Sequence, residues 1–145
     1  MTNHFNELSK QINSLGHKYD RSRLFNDFLT ASICSFHHIN LQSGLNEKDE
    51  TNEKIYMETI KAYEKEDLTI LSQMLATLQL NVLDNPYSDI LGEYFMQEIT
   101  KGGQNGQYFT PEPVCEMMAS LQFSDQEVKH QRVHDPACGS GRMLL

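Results

Sequence analysis

The residues best suited to chemistry gather near the end of this 145-residue chain, where Asp135-Pro136-Ala137-Cys138-Gly139-Ser140-Gly141 follows a short segment, Gln131 to His134, that reads as extended. Two glycines spaced by one serine let the backbone turn sharply and approach a ligand with no Cβ in the way. Arg142, Met143, Leu144 and Leu145 are helix formers, so the turn is expected to open a helix whose free N–H groups could face a carboxylate or phosphate. A glycine-x-glycine turn also serves strand-to-helix geometry alone, and that reading stands beside the ligand-binding one. A dinucleotide fingerprint would place its third glycine at Leu144, which argues against a nicotinamide cofactor.

A second motif lies upstream in Gly106-Gln107-Tyr108-Phe109-Thr110-Pro111-Glu112-Pro113-Val114. Thr110 suits a helix N-cap, Pro111 the first helical position and Glu112 the positive end of the helix. Val114, Met117, Met118 and Leu121 recur at helical spacing, which predicts a face packed against the strand that follows. Tyr108 and Phe109 read equally as core aromatics or as ring faces for a ligand, and Thr110 as a cap or a ligand contact.

The pairing of Gly106 to Pro111 with Asp135 to Gly141 resembles the start of the catalytic domain in amino-group, adenine-specific DNA methyltransferases. It is most similar to the modification subunits of type I restriction systems and their single-chain relatives. Asp89-Ile90-Leu91-Gly92-Glu93-Tyr94 resembles their Asp-x-Leu-Gly-x-x-Tyr helix, with the register around Tyr94 one residue short. The resemblance covers roughly Asp89 to Leu145. It implies that Asp135, Pro136, Cys138, Gly139 and Gly141 border the methionine half of S-adenosylmethionine, and that Tyr108, Phe109 and Thr110 close the other side. The family's chemistry needs a flipped adenine held by an Asn/Asp-Pro-Pro-aromatic tetrapeptide that follows the glycine loop. Only Asn85-Pro86-Tyr87 approaches that pattern here. It has one proline and lies too close to Gly106 for a permuted arrangement, so Asp84-Asn85-Pro86 reads as a turn and helix start, and no catalytic residue is assigned.

Composition narrows the function classes. Twenty acidic against 12 basic residues give a net charge of −8, a poor balance for gripping duplex DNA, since that grip comes from Lys and Arg on phosphates. By the resemblance, DNA would then be held by regions absent here or by a specificity subunit. Cys34, Cys115 and Cys138 are an odd count at unrelated spacings, which fits a reducing compartment rather than a disulfide framework. The polar N-terminus and the lack of any long apolar run predict a cytoplasmic chain with neither signal peptide nor membrane span. Cys34, His37 and His38 lack a second ligand cluster, so no metal is expected.

Helical periodicity dominates the rest. Phe5, Leu8, Ile12 and Leu15 mark a helix stopped by Gly16; Leu24, Phe25, Phe28, Leu29, Ile33 and Phe36 mark a second, before a polar linker from Gln42 to about Asn46. The charged stretch Glu47 to Asp67 reads as a solvated helical face, with Glu50 and Lys54 four apart and a narrow seam of Ile55, Thr59 and Tyr63. Leu68, Leu71, Met74, Leu75 and Leu78 give the next helix, and Ile90, Leu91, Tyr94, Phe95 and Ile99 another. Three glycines between Lys101 and Gln107 suit a domain boundary. The expected fold is mainly α: a helical N-terminal domain over 1–100, then at 101–145 a truncated start, one strand and one helix stub, of a Rossmann-like α/β methyltransferase domain. One strand cannot pair its own backbone groups, so the tail is expected to be loosely held and affinity for S-adenosylmethionine weak or nil. Activity would need the rest of the methyltransferase domain or a second copy. The competing expectation is a non-catalytic helical interaction module or degenerate methyltransferase remnant.

Overall fold

The computed structural model describes residues 3–42, 44, 49–100, 108–123, 132, 134–136, 138, 139, 141 and 142, without the side chains of 39–42. It divides into two compact units, 1–80 and 81–145.

The first unit is built from helices α1 (Asn3–Leu15), α2 (Arg21–Gln42), α3 (Glu50–Ile60) and most of α4 (Lys65–Asp84). α1 buries Phe5, Leu8, Ile12 and Leu15, the stripe its spacing predicts, and each such side chain contributes about 1.5–3 kcal/mol when fully withdrawn from water. The Gly16 amide closes the end of α1 by donating to the Asn13 carbonyl at 3.2 Å. α4 is tied to α1 by reciprocal hydrogen bonds between the Gln11 amide and the Thr77 hydroxyl, at 3.1 and 3.2 Å.

α2 agrees with its pattern only over its first half. Leu24, Phe25 and Phe28 are buried, whereas Ile33 and Phe36 are exposed and the buried positions shift to Ser32 and Cys34. The reason is the polar helix α3, which packs on α2. Asn52 donates to the Cys34 carbonyl at 3.2 Å, so a small side chain sits under the contact and the bulky ones turn outward. α3 itself buries no residue, as its charge density predicts. Its start is fixed by Asp49, whose carboxylate accepts from the Thr51 and Asn52 amides at 2.9 and 3.2 Å. Within α3 the ion pair is Lys54 with Glu58, at 4.0 Å. Ile55 is exposed, and the aromatic expected in its seam, Tyr63, is buried beyond the helix, where its hydroxyl donates to Asp27 at 2.7 Å.

A polar knot closes the α1–α2 and α3–α4 connections. Asp67 is buried and accepts from the Tyr19 hydroxyl at 2.7 Å and from Lys18 at 3.0 Å; Lys18 also reaches Glu64 at 3.0 Å, and Tyr19 packs against Tyr63 with ring centroids 4.7 Å apart. The Tyr19 hydroxyl first, and then Lys18, hold the Asp67 carboxyl below its usual range. A depressed carboxyl stabilises the fold above its unfolded-state value of about 3.9 and loses that contribution as the pH falls through its folded value. Thermal melting is therefore expected to weaken below about pH 4, and Asp67→Asn to lower the neutral-pH midpoint while flattening this acid limb. An unchanged acid limb in the variant would show that other carboxylates control it.

The second unit holds the last turn of α4, α5 (Ile90–Tyr94), a π-helical turn Phe95–Ile99 that continues α5, and α6 (Glu112–Gln122). Asp84-Asn85-Pro86 forms the expected turn, with the Ser88 amide donating to the Asn85 carbonyl at 3.1 Å. The chain is mainly helical, and no strand occurs among the described residues. Of the strand expected at Arg132 to His134, the two end residues are described and neither is in a strand. Val133, the helix stub at 143–145 and the glycine-rich boundary at 101–107 lie outside the described residues.

α6 corrects the sequence reading twice. Pro111 is the N-cap and Glu112 the first helical residue, so Thr110 stands one position outside and does not cap the helix with its side chain. Val114, Met117 and Leu121 are exposed, and the buried residue is Cys115. Helical spacing locates an apolar stripe but not the element that covers it, and among the described residues no strand lies there to do so.

Candidate functional site

The second unit brings three separated segments together. Asp89 caps α5, its Oδ1 accepting from the Gly92 amide at 2.8 Å. Its other oxygen, Oδ2, accepts from Arg142 Nε at 2.7 Å, an ion pair with side-chain exposures of only 15% and 12%. Arg142 Nη1 donates to the Thr110 carbonyl at 3.1 Å. One guanidinium thus links the start of α5, the segment before α6 and the glycine loop.

Gly92 makes this approach feasible. A Cβ there would overlap the Asp89 carboxylate and lie 2.8 Å from Arg142 Nη2. At the other end of the short helix, the Phe95 and Phe109 rings stack with centroids 5.3 Å apart and planes at 16°. This contact explains the register departure around Tyr94. Counted from Asp89, the aromatic of the Asp-x-Leu-Gly-x-x-Tyr pattern falls at Phe95, which takes the stacking role, while Tyr94 is fully buried.

Of the residues expected at a cofactor site, Phe109 is half-buried on Phe95, and Thr110 is half-buried with its carbonyl engaged by Arg142. Tyr108 is 73% exposed and stands apart from the ring stack. Asp135 is half-buried, and Pro136 and Cys138 are exposed. The Gly141 amide donates to the Cys138 carbonyl at 2.8 Å, which makes the loop a tight turn. Gly139 and Gly141 adopt φ of 55° and 80°, the left-handed region that glycine enters freely. A Cβ built on Gly141 would meet nothing within 4 Å, so the loop backbone is open to close approach by a ligand.

Sequence reasoning missed Arg142 and Asp89 as partners. Arg142 reads locally as a helix former, and the expected loosely held tail is instead anchored through it. A cleft of about 440 Å³ opens beside this pair, lined by Tyr87, Glu112, Cys115, Glu116 and Ser120 among others. The cluster weighed for a metal, Cys34 with His37 and His38, belongs to the first unit. There Cys34 is buried, and burial first, then the Asp49 and Glu53 carboxylates, push its thiol up. Among the described residues no group of three or more His, Cys, Asp or Glu is placed to hold a metal ion. None of the described helices is long and apolar enough to cross a membrane.

No curated protein and no solved structure matches this chain. Residues 86–145, the stretch that holds Asp89, Phe109, Thr110, the glycine loop and Arg142, match the family model described as N-6 DNA Methylase, and that match supports an adenine DNA methyltransferase family for this chain.

Proposed function

We propose that this chain supplies a helical segment and the opening cofactor loops of a DNA adenine methyltransferase of the restriction-modification type, related to type I modification subunits. The observation that supports this reading is the convergence of the three motif segments on Arg142 inside the stretch that matches the family. The left-handed glycines and the open backbone at Gly141 fit S-adenosylmethionine, which supplies an electrophilic methyl group when bound. In this assignment the Cys138–Gly141 turn faces the methionine half, Asp135 lies beside it, and Phe109 and Thr110 close the opposite side.

The acceptor is the exocyclic amine of adenine. Holding a flipped adenine calls for stacking and hydrogen-bond acceptors, and no Asn/Asp-Pro-Pro-aromatic tetrapeptide occurs in the 145 residues. Methyl transfer is therefore assigned to an assembly in which further methyltransferase sequence, or a second copy, completes the site. With a net charge of −8, DNA is gripped by those other regions or by a specificity subunit. A second reading, a non-catalytic helical interaction module, is favoured by one observation: the α6 face of Val114, Met117 and Leu121 is 37%, 56% and 79% exposed.

Calorimetric titration with S-adenosylmethionine separates the two. Weak saturable binding that Asp135→Ala abolishes is the expected result. Absence of heat from the unmodified chain, together with a stable dimer in sedimentation, would instead establish the interaction module.

A further inference from the structure

We propose that Asp89 and Arg142 form a positioning clamp that holds the glycine loop in register with the Phe109–Thr110 segment, and so sets the site's affinity for S-adenosylmethionine; the proposal rests on the cofactor reading above.

Two ligand-facing segments must keep a fixed separation if both are to touch one molecule, yet they lie about thirty residues apart and no described strand joins them. The helical stretch from Asp89 to Phe95 does the spacing instead. At its first end Asp89 holds Arg142, one residue beyond Gly141. At its far end Phe95 holds Phe109, one residue before Thr110. Arg142 then closes the circuit by donating to the Thr110 carbonyl.

The chemistry at each point suits a clamp. Asp89 is itself immobilised, because its second oxygen accepts from the Gly92 amide. The Thr110 carbonyl belongs to the peptide that enters Pro111, whose ring fixes φ at −59°; a hydrogen bond to that oxygen therefore orients the whole Thr110 residue. The guanidinium is a rigid planar fork able to serve both acceptors at once, whereas an ammonium of equal charge is a point donor on a flexible stem. Glu112 and Glu116 line the neighbouring cleft, but the printed ion pair of Arg142 is with Asp89.

The test uses the 145-residue chain with Arg142→Lys, Asp89→Asn and the double variant, titrated with S-adenosylmethionine and followed by amide hydrogen exchange. Arg142→Lys keeps the charge and removes the fork; Asp89→Asn keeps a helix-capping oxygen and removes the ion pair. Loss of one charge-assisted hydrogen bond corresponds to an affinity about tenfold weaker for each single variant, and exchange at the Val114 and Cys115 amides should quicken by a similar factor. The double variant should be no weaker than either single one, because both changes break the same circuit. A pair that merely stabilises the fold would lower the unfolding midpoint and leave the affinity of the folded chain unchanged. If both single variants bind as tightly as the unmodified chain while Asp135→Ala abolishes binding, the clamp is overturned and the cofactor reading stands. If the unmodified chain binds nothing, the cofactor reading fails and takes with it the clamp's role in affinity.

Discussion

Replacing Gly92 with alanine is expected to destabilise the second unit by about 3 kcal/mol or more, a larger effect than removing either charge nearby. The added methyl would overlap the Asp89 carboxylate and press on Arg142 Nη2. Neither side chain can retreat cheaply, since Asp89 caps α5 through the Gly92 amide and Arg142 is held at Thr110. Overpacking alone costs about 1–3 kcal/mol, and separating a mostly buried ion pair adds to it. Hydrogen exchange at the α5 and α6 amides, read beside urea denaturation by far-UV circular dichroism, reports the loss unit by unit. Protection factors unchanged in α5 would show that the pair yields to the methyl without cost, against the geometry described here.

The second large effect is expected in the first unit, where Phe28→Ala should cost about 3–5 kcal/mol. Phe28 is 1% exposed. It borders a small space of about 80 Å³ that also touches Ala31, Ile60, Leu71 and Leu75. The ring's removal enlarges a gap already present, and three helices would have to move to refill it. Phe28→Leu should recover much of the loss by restoring apolar volume. The check is the urea midpoint of both variants: a Phe28→Ala midpoint close to that of the unmodified chain would mean the helices collapse onto the gap with little penalty.

The sequence discloses the first unit better than the second, and the division has a physical basis. Where one helix meets a continuous apolar neighbour, spacing alone identifies the buried residues, as for Phe5, Leu8, Ile12 and Leu15. Periodicity fails once the neighbour is polar, as at Ile33 and Phe36, or where no described element lies over the stripe, as at Val114, Met117 and Leu121. At the candidate site the glycines were legible because left-handed φ is a local demand, met at Gly139 and Gly141. The Asp89–Arg142 pair spans 53 positions and leaves no local signature in either segment. Its clue was indirect: an aspartate three residues before a glycine, in a helix too short to need such a residue for packing. Thr110 was placed at the right locus with the wrong atom, since its carbonyl, not its hydroxyl, makes the printed contact with Arg142.

The π-helical turn at Phe95–Ile99 matters through angle and chain count. A regular helix advances about 100° per residue, and a wider turn with its bond from the Thr100 amide to the Phe95 carbonyl, at 2.9 Å, accommodates one extra residue in the ladder. Deleting a single residue from this turn would restore the regular ladder and rotate everything after it by about 100° relative to Asp89. The stretch is thus a phase adjuster, in which the number of residues, independent of their chemistry, decides the bearing on which the chain leaves toward Phe109.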